Sequence, residues 1–343
     1  MKSFRLFGLI ALASATLHSQ PTNGPVYWST SPPDCSSLGN QTPVRITNSS
    51  GVTIGYSCYV SGTFVWLAAG GGWSTSIRVA APASAPIGVD YTFYDTTGNN
   101  LRLDTTYGTS SSITSGDAVS FALRPNQPSE VGMRGATSNA PNYGSTATGS
   151  VYAVFYCPNA TTCADVLPQL LYSALPGTPW SLSVPVAWDT QVWTQWSAVG
   201  IDDGATRRVS LVVCNEDTTA KIFTVRVYDS NGTLAGTGTT PSIPPLRPRS
   251  DGSLGQGGTY GALLSDVIST PLPSGVMKIL VDGGSNFSAV EMLQVNGASA
   301  TTLHVAFDGT STSSSPGAAS ARRLSIRSAR VASVSKPVFS ALE

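Results

Sequence analysis

Val89-Asp-Tyr-Thr-Phe-Tyr-Asp-Thr-Thr-Gly98 and Phe223-Thr-Val-Arg-Val-Tyr-Asp-Ser-Asn-Gly232 lie 134 residues apart, and reading them together decides the fold. Val89, Tyr91 and Phe93 alternate with polar residues in one, and Phe223, Val225 and Val227 do so in the other. As strands, both put their apolar side chains on one face. Each ends in Tyr-Asp-x-x-Gly, in which Asp bonds its own backbone and Gly takes a positive φ, so each strand predicts a tight turn. The same ungapped shift puts Ile77 on Leu211 and Val79 on Val213. Each copy therefore reads as a strand, a polar loop, an alternating strand and a turn. A repeat of roughly 130 residues is long enough to bury a core of its own, which predicts tandem β-sandwiches.

Working outward, strand signals dominate. Val44 to Ile46, Val52 to Val60, Val151 to Tyr156 and Val276 to Val281 are short, rich in β-branched and aromatic residues, and bounded by Gly, Pro, Asn or Ser. Helix signals are confined to Ala164 to Tyr172, interrupted by Pro168, and to the tail around Ala318 to Arg330. Gly70-Gly71-Gly72-Trp73 leads into an alternating strand with no Lys and no helix behind it. That excludes a phosphate cradle and predicts a turn or bulge.

The N-terminus carries Lys2 and Arg5, an apolar run from Leu6 to Ala13 and a small-residue exit, the pattern of a secretory signal peptide over residues 1–19. No later run approaches the ~20 apolar residues a spanning helix needs, so no transmembrane segment is expected. Charged residues make up 11% of the chain, against about 25% in ordinary globular domains. The body, residues 20–310, has 12 basic against 18 acidic residues, whereas residues 311–343 have five basic against one acidic. With no broad cationic face, nucleic acid is excluded as an expected partner. Five cysteines in an exported chain predict disulfides with one thiol over. Spacing pairs Cys157 with Cys163 and then Cys35 with Cys58, leaving Cys214 as a buried free thiol in an apolar strand. Asn40, Asn48, Asn159, Asn231 and Asn286 begin Asn-x-Ser/Thr sequons.

The Gly-Gly-Gly-Trp-Ser-Thr-Ser-Ile-Arg-Val stretch, Phe-Tyr-Asp-x-x-Gly, Val199-Gly-Ile, Cys214-Asn215, Val-Tyr-Asp-Ser-Asn-Gly and Thr301-Thr-Leu-His-Val305 resemble the tandem β-sandwich repeats of uncharacterised exported bacterial proteins of acidobacterial type. The resemblance covers about Leu67 to Phe307 and implies an immunoglobulin-like double sandwich; it carries no activity and no catalytic residues. The expected organisation is a signal peptide (1–19), a first β-sandwich (20–177), a second (178–308), and a linker with a basic, disordered or marginally helical tail (309–343).

Candidate chemistry is sparse. His304 is the only histidine after the signal peptide and lies between apolar neighbours on a strand, so no Ser-His or Cys-His pairing is legible. No Cys-x-x-Cys pair suggests zinc, and no cofactor is expected. Most acids fall in turns, among them Asp95, Asp229, Asp251, Asp282 and Asp308. Asp202 and Asp203 are weak calcium candidates because hard oxygen ligands cluster in such loops. Trp180, Trp188, Trp193 and Trp196 fall close together with Gln195, and Trp180 to Trp188 share one strand parity. Aromatic platforms beside amides stack on sugars, although a buried seam between the repeats is the stronger expectation. The reading is a non-enzymatic, secreted or extracytoplasmic structural or adhesive module, with glycans or other surface proteins as partners. A carbohydrate-binding module built on the tryptophans is the alternative, and a carboxylate-based glycoside hydrolase ranks third.

Overall fold

The computed structural model describes residues 25–39, 42–47, 51–71, 73–107, 113–136, 146–174, 182–188, 193–247, 255–295 and 299–301. Nearly all of it is antiparallel β-structure. In chain order the elements are β1 (Val44–Thr47), β2 (Thr53–Ala69), β3 (Trp73–Ala80), β4 (Ile87–Asp95), β5 (Leu103–Tyr107), β6 (Ile113–Gly116), β7 (Ala118–Leu123), β8 (Pro128–Ala136), β9 (Ala147–Cys157), α1 (Ala160–Ala164), β10 (Gln169–Ala174), β11 (Leu182–Pro185), β12 (Ala187–Trp188), β13 (Trp193–Ile201), β14 (Arg207–Asn215), β15 (Thr224–Tyr228), β16 (Leu234–Thr239), β17 (Thr259–Leu263), α2 (Leu264–Val267), β18 (Val276–Val295) and β19 (Ser299–Thr301).

The first half packs two sheets face to face. One runs β1-β2-β9-β4-β7 with β12 added to β2, and the other runs β11-β10-β3-β8-β5-β6. Alternation supplies the core: Phe64, Val89, Tyr91, Phe93, Val151 and Phe155 from the first sheet meet Ile77, Val79, Leu103, Val131 and Met133 from the second, all buried. Tyr91 makes edge-on contacts with Phe121 and Phe155, at centroid distances of 5.8 and 6.1 Å. The N-terminal segment lies over the outer face of the first sheet. Tyr27 is buried there against Tyr156, Ser29 bridges to Tyr56, and the Cys35–Cys58 disulfide ties the segment to β2.

In the second half a single strand does the work of two. β18 is 20 residues long. Its first part lies between β13 and β15, and from Phe287, where Trp193 of β13 still pairs with it, it runs along β14, with Gly283 and Gly284 between the two parts. The bend lays Val225, Val227, Ile279 and Val281 opposite Val209, Leu211 and Val213, and α2 adds Leu264 and Val267 to this second core.

The strand neighbours repeat. β9 sits between β2 and β4 as the first part of β18 sits between β13 and β15; β3 sits between β10 and β8 as β14 sits between the second part of β18 and β17. In the first half the connection from β9 to β10 passes through α1, capped by Asn159 Oδ1 accepting from Thr162 N, and is closed by the Cys157–Cys163 disulfide. In the second half the connection is continuous strand. The Asp turns match too. Asp95 Oδ1 accepts from the N–H groups of Thr97 and Asn99, and Asp229 Oδ1 accepts from those of Asn231 and Thr233, at 2.8–2.9 Å throughout. Gly98 and Gly232 have φ of 81° and 80°, the left-handed region that favours glycine.

Two expectations need correction. Residues Ala164 to Tyr172 do not form a helix: α1 ends at Ala164 and Gln169 opens β10, because Pro168 lacks the N–H a continuing helix requires. The described part of the Trp180 to Trp188 stretch, from Leu182 onward, is not one strand. β11 pairs with β10 in one sheet and β12 pairs with β2 in the other, with the crossing just after Pro185, whose missing N–H ends the first pairing. Both strands lie beyond residue 177 in the chain, yet they join the sheets of the first half.

Candidate functional site

The glycine stretch closes a hairpin between β2 and β3: Gly70 and Trp73 exchange both backbone hydrogen bonds at 2.9 Å, with Gly71 in the turn at φ 56°. Its counterpart in the second half is the turn from Asp203 to Arg207, where Asp203 N donates to Arg207 O at 3.0 Å.

Both weak calcium candidates, Asp202 and Asp203, lie at that turn. Buried Asp202 accepts from the N–H groups of Gly204 and Val209. Asp203 accepts from the backbone of Ala205, Thr206 and Arg207, from the Thr206 hydroxyl and from Arg207 Nε. The Thr206 hydroxyl, then the Arg207 N–H, holds the Asp203 carboxyl well below the usual carboxylate range. The donors of their own loop thus engage both carboxylates and close the turn. Among the described residues no group of three or more His, Cys, Asp or Glu is placed to hold a metal ion. Asp229 closes its turn in the same way, and Asp282 pairs with Arg226 at 3.4 Å.

The two clustered tryptophans whose side chains are described, Trp188 and Trp196, do not share a surface. Trp196 is 4% exposed and packs in the second core, while Trp188 is half-buried against the first, edge-on to Phe155 at 6.0 Å. Trp196 therefore presents no open ring face. Gln195 is half-buried on β13. Trp193 belongs to β13, its side chain lies outside the described residues, and Trp180 lies wholly outside them. Asp251, His304, Asp308, the signal peptide and the basic tail also fall outside.

What the fold does assemble is a seam between the halves. β2 is touched by β14, β17 and β18. Val212 and Cys214 point away from the second core and join the first, because residues on one strand alternate between faces. The Trp66 indole lies against the backbone of Gly261, 3.0 Å from where a Cβ would stand. A polar cluster sits beside it. Gln256, 2% exposed, donates from Nε2 to Cys214 Sγ and to Glu216 Oε1, both at 3.0 Å. Its Oε1 accepts from the Thr63 hydroxyl of β2 at 3.1 Å, and the Ser288 hydroxyl donates to Glu216 at 2.9 Å. Buried polar groups tied in this way fix a register between the packed surfaces. The first Asp turn joins in: Thr259 N donates to Thr96 O at 2.9 Å, and Arg247 Nη1 donates to Asn99 Oδ1 at 2.7 Å.

The chain matches no protein-family model, no curated protein and no solved structure.

The disulfide pattern follows the spacing: Cys35–Cys58 and Cys157–Cys163 are bonded and Cys214 is a buried free thiol. Burial, reinforced by the Glu216 carboxylate, pushes the Cys214 thiol far up. Two disulfides fit an oxidising compartment. No helix among the described residues is long and apolar enough to cross a membrane. Sequence reasoning passed over Trp66 and Gln256. The Gly255-Gln-Gly-Gly258 setting of Gln256 was a signal of close backbone approach, whereas Trp66 sat unremarked within an apolar strand.

Proposed function

We propose that the chain is a non-enzymatic, secreted or extracytoplasmic structural or adhesive module made of two immunoglobulin-like β-sandwiches. The observation that carries this reading is the seam. Trp66 on Gly261, with the Thr63–Gln256–Glu216–Ser288 bridge, fastens the repeats into one unit in place of a loose tether. Such fastening suits a part that must hold its shape outside the cell, and the two disulfides serve the same end. The acids whose contacts have been traced are engaged in turns, ion pairs or the seam, as befits a scaffold.

Antibody labelling of intact cells, paired with an assay of the purified mature chain against chromogenic glycosides and esters and with tryptophan fluorescence across a glycan panel, tests the reading. Surface labelling with no turnover supports it. Turnover of any substrate, or labelling only after cell lysis, overturns it; saturable quenching by one glycan class identifies the adhesive ligand.

A further inference from the structure

The two disulfides stand side by side. Cys58 of β2 and Cys157 of β9 are direct partners in the antiparallel ladder, so their side chains leave the same face of the sheet. Each is bonded to a cysteine outside the sheet. Cys35 lies in the N-terminal segment just before the turn Ser36–Leu38, and Cys163 lies in the five-residue helix α1. α1 touches β2, β9 and that turn, so the four cysteines gather where β9 ends, and all four are buried in the first core.

The ladder makes a third bridge available. Residues opposite each other in an antiparallel pair have Cα atoms about 4.5–5.5 Å apart, inside the roughly 4.4–6.8 Å that a disulfide spans. The pairing of β2 with β9 runs on to Ala69 and Ala147 and needs neither native disulfide. A thiolate made at Cys58 or at Cys157 therefore stays at high effective concentration beside the other bridge. The elements that carry Cys35 and Cys163 are held less firmly. Ser36 and Ser37 beside Cys35 are exposed, as are Thr161 and Ala164 beside Cys163, and a single helical turn opens at little cost.

We propose that the four cysteines form one redox switch, in which a cross-strand Cys58–Cys157 bridge replaces both native disulfides. An external dithiol supplies the two electrons: it reduces Cys35–Cys58 to two thiols and is itself oxidised to a disulfide. The Cys58 thiolate then attacks Cys157 Sγ. The Cys58–Cys157 bond forms, the Cys157–Cys163 bond breaks, and Cys163 leaves as a thiolate that takes up the proton Cys58 gave up. Entry at Cys157–Cys163 reaches the same product, with Cys157 attacking Cys58 Sγ and Cys35 leaving. One reduction thus unties the N-terminal segment and α1 together and keeps β2 and β9 cross-linked. This goes beyond the structural-module reading, which its failure would leave standing.

Dithiothreitol titration of the full mature chain, with acid-quenched alkylation and non-reducing peptide mapping, provides the test. Most of the two-electron-reduced wild type should carry Cys58–Cys157, with Cys35 and Cys163 alkylated. Cys35→Ser should map with the same bridge and Cys163 free, and Cys163→Ser with the same bridge and Cys35 free. Cys58→Ser, which cannot form it, should keep Cys157–Cys163. Circular dichroism confirms that each variant is folded. In the reduced wild type the Thr162 amide, which donates to Asn159 Oδ1 at the start of α1, should exchange about tenfold faster or more. The Phe93 amide of β4, which donates to Asp117 O, should keep its rate. A reduced wild type that retains either native disulfide, a Cys35→Ser chain that retains Cys157–Cys163, any bridge to Cys214, or an unchanged Thr162 amide overturns the proposal.

Discussion

Trp66 of β2 rests on the bare backbone of Gly261 of β17, its ring atoms 3.0–3.3 Å from the place a Cβ would occupy. The contact needs both the large ring and the missing side chain. Gly261→Val should displace the indole and lower stability by about 1–3 kcal/mol, and Trp66→Ala should lower it by about 2–4 kcal/mol. In urea unfolding the double variant should lose less than the two losses added together, because both substitutions break one contact. Strict additivity would mean the two residues act separately.

The two Asp turns offer an internal control. Asp95 and Asp229 accept from equivalent backbone N–H groups, but the first turn is also held by Thr259 and Arg247. Asp229→Ala should cost about 1 kcal/mol, the usual range for a lost capping acceptor. Asp95→Ala should cost about 1 kcal/mol more, since a loosened turn also slackens the seam. Equal losses in matched denaturant titrations would deny the first turn its part in joining the halves.

Acid and alkali should act at different places. The Asp203 carboxyl is depressed by the Thr206 hydroxyl and the Arg207 N–H. Its contribution is present above the ordinary Asp value of about 3.9 and fades as pH falls through the lower folded value. Asp203→Asn should therefore flatten the acid limb of a melting-temperature profile and leave the neutral region parallel to wild type. Tyr27, Tyr91 and Tyr156 are all buried; burial raises all three phenols, with Asp90 adding to the shift at Tyr27 and Tyr156. Stability from these groups is complete below about pH 10 and is lost as pH rises toward their folded values. Spectrophotometric titration should find these tyrosines ionising only with unfolding; smooth ionisation at the ordinary phenol value would contradict their placement.

The disulfides should differ in strength. Cys35–Cys58 spans a sequence separation of 23 and Cys157–Cys163 one of 6. Loop-closure entropy assigns roughly 3.4 kcal/mol to the longer loop and roughly 2.2 kcal/mol to the shorter. Replacing Cys35 and Cys58 together by Ser should lower the urea midpoint more than replacing Cys157 and Cys163. The reverse order would show that local packing at α1 outweighs chain entropy.

Much of the fold was legible because it is written locally. Alternation at Val89, Tyr91 and Phe93 and at Phe223, Val225 and Val227 sets which face is buried, and Tyr-Asp-x-x-Gly turns the chain through bonds between residues two to four positions apart. The candidate site was not legible for the opposite reason. Thr63 and Gln256 are 193 residues apart and meet only when two folded halves touch. Pattern also misled at the tryptophans: shared parity from Trp180 to Trp188 assumed one continuous strand, and Pro185 ends that strand before the chain crosses to the other sheet. The merging of two strands into β18 left no local mark, since Gly283 and Gly284 read equally well as a turn.

If the seam at Trp66 and Thr63 makes the two halves one unit, differential scanning calorimetry of the mature chain measures it most directly, because a single cooperative unit has equal calorimetric and van't Hoff enthalpies. One transition with that equality is expected for the wild type, and Trp66→Ala combined with Thr63→Ala should split it in two. Two independent transitions in the wild type would contradict the account.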